Sequence, residues 1–270
     1  MRRATSFLSL LLASFFATLI SAACIRNGIP IFFRIWEFPF DGRILPAALL
    51  LLSLEKGGIS AGLLSELGLR KWQSKTNAFA FFGPAILLAL TIGFGLIFGS
   101  VKYQEIENAP TFLLASFLDI PATCFFSLTT LLLEEVLFRG YLLNRHSDGN
   151  NPIMRGARSA LLWSVFRAGD FFQTGTVDLF SFFANFSYLF SLGLLLAFLF
   201  QMTQSIWPCY FFRVGSLVFS SMLLNSTESD LNSFFFYNST LFSNFGVVIA
   251  LLNSFFAFLL MKLAKTSRKT

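Results

Sequence analysis

The chain has 270 residues, 55% of them apolar and only 13% charged, with a mean hydropathy of +0.70. A soluble domain carries about a quarter charged residues, so this composition excludes one. The net charge of +6 does not mark a nucleic-acid binder, because the basic residues are scattered over several short loops instead of forming one stripe.

What remains is an integral membrane protein whose first partner is the lipid bilayer. Its length leaves no room for a separate soluble domain, so residues 1–270 read as one membrane domain. Cys24, Cys124 and Cys209 lie far apart inside apolar segments and imply neither a disulfide framework nor a zinc site. The single histidine, His146, rules out metal sites built on two or more imidazoles, and no cofactor is expected.

In chain order, residues 1–24 combine Arg2 and Arg3 with an apolar run and a small-residue end. They fit either a secretory signal or an uncleaved first span. Residues 25–43 are aromatic and proline-broken, as interfacial segments are. A short second apolar run covers 44–54, and a polar, basic stretch follows to Thr76, with an amphipathic turn at Leu64–Arg70. The third span is expected at 78–99. The fourth hydrophobic stretch opens at Pro110, is kinked at Pro121 and reaches Leu143, longer than one crossing needs. A hydrophilic loop at 144–156 carries the turn signal Asp148-Gly-Asn-Asn-Pro152. Spans five to eight are expected at 157–173, 179–202, 206–225 and 241–261.

The expected fold is therefore an all-α, multi-pass helical bundle of about eight spans. With both termini on one side, that side receives Arg2, Arg3, Lys56, Arg70, Lys71, Lys75, Arg145, Arg155, Arg158, Lys262, Lys265, Arg268 and Lys269. The other side receives Arg26, Arg34, Arg43 and Lys102, so both ends are expected in the cytoplasm.

Charged residues inside spans are costly and mark function by default. Glu134, Glu135 and Arg139 sit near the end of the fourth stretch, Arg167 and Asp170 in the fifth span, Arg213 in the seventh. On a helix Glu135 and Arg139 are four apart and share a face, so they can pair. Glu134 is turned about 100° away and has Phe138 as its fourth neighbour, which leaves it without a local partner. Three cations facing three acids across these spans is the balance that a low-dielectric interior demands. The structural alternative is that these charges only pin helices together.

Glu134-Glu135 followed by Arg139-Gly140-Tyr141 resembles the first motif of the CPBP family, membrane proteases that include type II CAAX prenyl endopeptidases and bacterial bacteriocin-processing or immunity proteins. Gly193-Leu-Leu-Leu-Ala-Phe-Leu-Phe-Gln-Met-Thr-Gln-Ser-Ile-Trp-Pro208 is similar, in order and spacing, to the phrase that introduces the family's third motif. The resemblance extends over residues 64–217. It implies cleavage of a membrane-associated, in some members prenylated, protein or peptide, with the first-motif glutamate and two histidines activating water and stabilising the oxyanion.

This chain departs from that pattern at both histidines. Counting from Phe166, the second-motif histidine position holds Asp170; counting from Ser205, the third-motif position holds Arg213, with Leu217 at the accompanying asparagine position. Two readings follow. Either Glu134, Asp170 and Arg213 do the work of the glutamate and histidines, with Glu135 and Arg139 in support, or a charge network has replaced the water-activating site and left a non-proteolytic protein that binds a peptide or partner. Transport is a third reading, but no inverted repeat is visible and the phrase around Ser205 does not point to it.

Overall fold

The computed structural model describes residues 32–35, 38–41, 67–69, 71–106, 108–143, 151–168, 179–225, 233–237 and 246–267. Among these residues are seven α-helices: α1 (Ser74–Ile97), α2 (Ala109–Phe126), α3 (Leu133–Glu135), α4 (Pro152–Ala168), α5 (Leu179–Thr203), α6 (Trp207–Leu223) and α7 (Val247–Ser267). They also contain five short strands, β1 (Phe32–Ile35), β2 (Phe38–Asp41), β3 (Val101–Tyr103), β4 (Leu224–Asn225) and β5 (Phe235–Tyr237).

Helices α1, α2 and α5 are long and apolar enough to cross a membrane. The expected all-α membrane class holds at that level. The first two expected spans lie outside the described residues, whereas each expected stretch from 78 onward contains a helix.

Helix starts follow local chemistry. Asn151 Oδ1 accepts the Ile153 N–H at 3.0 Å and Pro152 takes the first helical position, so α4 begins inside what the sequence read as a loop. Pro84 and Pro121 lie within α1 and α2. The proline expected to kink the fourth stretch leaves α2 running on to Phe126, and the helix departs from α geometry only at Leu128. Membrane helices tolerate proline because neighbours and local readjustment satisfy the freed backbone groups.

Three helix pairs build the bundle: α1 on α6, α4 on α5 and α5 on α7. Small residues let two of these pairs approach closely. A Cβ on Gly215 of α6 would fall 2.0 Å from the Phe81 carbonyl oxygen of α1, and one on Gly193 of α5 would fall 2.9 Å from Ala160 Cα of α4. Between helices already surrounded by apolar lipid, this kind of close packing supplies much of the attraction.

The strands at the loops were not legible in the sequence. β3 pairs antiparallel with β5, with Val101 opposite Tyr237 and Tyr103 opposite Phe235, and β4 pairs parallel with β5. Aromatic and β-branched residues in Val101-Lys-Tyr103 and Phe235-Phe-Tyr237 suit a pleated ribbon. This small sheet joins the α1–α2 loop to the α6–α7 loop. Elsewhere, the turn before α6 is clasped to Gly68, Leu69, Lys71 and Gln73. Trp207 Nε1 donates to the Leu69 carbonyl at 2.9 Å, the Ser205 hydroxyl to Lys71, Ile206 N to Gly68 and Gln73 Nε2 to Thr203. The Ser-Ile-Trp part of the quoted phrase is thus accounted for by backbone fastening.

Candidate functional site

The segment that carries Glu134 is not uniform helix. After α2 come a π-helical stretch at Leu128–Leu132, the single α turn of α3 with both glutamates, and a second π-helical stretch at Val136–Leu142. Such wide turns are rare and concentrate at functional sites. Gly140 lies within the second stretch, where a Cβ would come 2.9 Å from the Leu67 carbonyl oxygen, so the motif glycine seats this helix against the clasped segment.

Glu134, Glu135 and Arg139 are fully buried, and Arg213 nearly so. Glu135 pairs along its own helix, with Arg139 Nη1 donating to Oε1 at 3.4 Å and Arg139 Nε 3.3 Å from Oε2. Glu134 finds its partners across the bundle. Its Oε2 accepts from Arg213 Nη1 of α6 and Trp163 Nε1 of α4, both at 2.9 Å, and its Oε1 accepts from Arg167 Nη1 at 3.4 Å. The same Arg213 Nη1 also reaches Glu135 Oε1 at 3.2 Å.

One guanidinium nitrogen therefore ties two adjacent carboxylates together. The Trp163 ring completes the cluster, with the guanidinium carbons of Arg139 and Arg213 at 4.7 and 5.1 Å from its centroid. Close Gly193–Ala160 packing helps hold α4 in place, three residues before that indole.

The structure thus brings together Glu134, Glu135, Arg139 and Arg213, all singled out from the sequence. Asp170 lies outside the described residues, and with it the expected balance of three charges against three. Among the described residues, Arg167 reaches Glu134. Trp163 was missed, because a tryptophan in an apolar run reads as packing. Its spacing from the motif gives no sign that its N–H serves a carboxylate 29 residues earlier.

Beside the cluster is a cavity of about 140 Å³. Trp163, Arg167 and Arg213 line it together with Tyr188, Asn253 and apolar residues of α1, α5, α6 and α7. The three side chains that hold Glu134 form part of this wall, while neither glutamate does. Leu217, at the family's asparagine position, also lines it. Among the described residues no group of three or more His, Cys, Asp or Glu is arranged to hold a metal ion.

Residues 116–219 match the family model described as type II CAAX prenyl endopeptidase Rce1-like. This stretch includes the Glu134–Tyr141 motif, the phrase before Pro208 and Arg213, so the resemblance read from those motifs holds at family level. No curated protein and no solved structure matches the chain.

Proposed function

We propose, from the premise of a type II CAAX prenyl endopeptidase-like membrane protein, that the chain receives a membrane-associated peptide or protein tail beside the Glu134 cluster and holds it without cutting it. One observation carries this reading. The carboxylate that family resemblance makes the base is buried, and its oxygens already accept from Trp163, Arg167 and Arg213.

A general base needs the proton it takes within hydrogen-bond reach, directly or through one water. Here guanidinium and indole donors fill that space. Arginine also gives hydrogen bonds without ceding its proton, so Arg213 in a histidine's place supplies no shuttle to a leaving amine. Glu135 is occupied by both Arg139 and Arg213. The cluster then fixes α3, α4 and α6 around a binding cavity.

Hydrolysis is the second reading, and one contact favours it. Among the described residues, Glu134 Oε1 is held only by the 3.4 Å bond from Arg167, whose side chain is 25% exposed. A swing of that side chain would uncover the oxygen for a water, with Arg213 left to bind a developing oxyanion. Mass spectrometry of prenylated and unmodified peptides incubated with the full chain in nanodiscs separates the two. Retained, uncut peptide is expected. Cleavage that disappears in Glu134→Ala would establish hydrolysis instead, and failure to retain either peptide removes the binding reading.

The multi-pass arrangement belongs to the same proposal: eight spans with both termini cytoplasmic. Its support is the distribution of Lys and Arg, together with the β3–β5 pairing, which puts the α1–α2 and α6–α7 loops at one end as alternating spans require. Impermeant maleimide should label a cysteine at Lys102 only from outside the cell and one at Lys71 only from inside. The reverse pattern overturns the orientation.

A further inference from the structure

The cavity contains a polar group that the cluster does not use. Asn253 of α7 is 1% exposed, lines the cavity, and among the described residues has no hydrogen-bond partner for either Nδ2 or Oδ1. Leaving a buried donor or acceptor unmade costs about 1–3 kcal/mol each, so an orphaned carboxamide at a cavity wall points to a partner that occupies the cavity. The neighbouring hydroxyls do not show this vacancy. Ser216 Oγ donates to Phe212 at 3.0 Å and Ser220 Oγ to Leu217 at 3.2 Å, both within α6.

We propose that Asn253 is a recognition residue for a peptide group and that this cavity takes one main-chain amide with an apolar side chain. The inference rests on the peptide-holding reading and names the subsite for it. A carboxamide offers an acceptor and a donor side by side, and the group that answers both at once is a second amide, with its N–H to Oδ1 and its C=O to Nδ2. The described bonds of Arg213 all run from Nη1 to the glutamates, and Arg213 lines the same cavity as Asn253.

The rest of the wall answers the side chain. Leu87 and Leu88 come from α1, Leu189 and Leu192 from α5, and Ile249 from α7 one turn before Asn253. At about 140 Å³ the space is some tenfold larger than the roughly 10–15 Å³ that one water needs. An apolar wall with one convergent polar edge is the usual build of a site for a mostly apolar ligand.

The test uses the full chain in lipid nanodiscs and radiolabelled N-acetyl-trileucine amide as probe. Asn253→Leu removes the carboxamide while keeping the branching and heavy-atom count, and so should leave thermal unfolding unchanged or raise it, because an orphaned polar group is lost. Affinity for the probe should fall at least tenfold. On the wild type, the probe with its central amide replaced by an ester lacks one N–H and should also bind more weakly, a comparison that needs no variant to fold. Equal affinity of amide and ester, or of wild type and Asn253→Leu, overturns the subsite while peptide binding itself stands. If the wild type does not bind the probe, and binds no prenylated or unmodified peptide either, the binding function and the subsite fall together.

Discussion

The two halves of the helical stretch from Ala109 to Leu142 are alike in apolarity and opposite in placement. In α2 no residue is buried; Phe117 and Leu118 point outward, and Asp119 is exposed. From Leu128 onward the backbone widens into π turns, and Glu134, Glu135, Leu137, Phe138, Arg139 and Leu142 are all buried. In a bilayer an apolar side chain gains little by choosing protein over lipid. What draws the second half inward is its charge, which must meet partners where no water is available.

This contrast can be broken at its centre. Arg213→Leu strips both glutamates of their shared donor, and removing one partner of a buried ion group costs about 3–5 kcal/mol. A large fall in the thermal midpoint in detergent is expected, partly restored by adding Glu134→Gln. No fall would mean that the inner half is held by packing alone.

Gly215→Val places a side chain where the Phe81 carbonyl stands and should separate α1 from α6, at about 1–3 kcal/mol for an overpacked contact. The same melting measurement reads it, and an unchanged midpoint would show that the seam has slack. Trp163→Phe keeps the ring under the guanidiniums but removes the donor to Glu134, for about 1–3 kcal/mol. An effect no larger than that of a surface change would deny the indole its role. At the outer half, Leu118→Ala should stay within about 0.5 kcal/mol. A larger loss would show that α2 is covered by a partner.

The sequence made some of this site legible and hid the rest for physical reasons. Glu135 and Arg139 could be paired because four-residue spacing is a local rule. Arg213 could be brought to Glu134 because lone charges in lipid must find each other. No comparable rule identifies Trp163 as a donor, turns Arg167 toward Glu134, or marks Asn253 as a polar group without a partner among the described residues. Each of these depends on how α4 and α7 are rotated. The π turns were equally hidden, since periodicity arguments assume 3.6 residues per turn. In the loops, polar composition concealed β3 and β5, whose pairing joins segments more than a hundred residues apart.

The fastening at the start of α1 has a consequence for how the chain is made. Lys71 and Leu69 receive their donors from Ser205 and Trp207, separated from them by 134 and 138 residues. At roughly 5–20 residues per second, a nascent chain waits about 7–28 s before those donors leave the ribosome. During that interval the entrance to the first of these helices has to be served by water at the bilayer surface or by the insertion machinery. A product stopped short of Ser205 never closes it, so this junction forms only once most of the chain has been made.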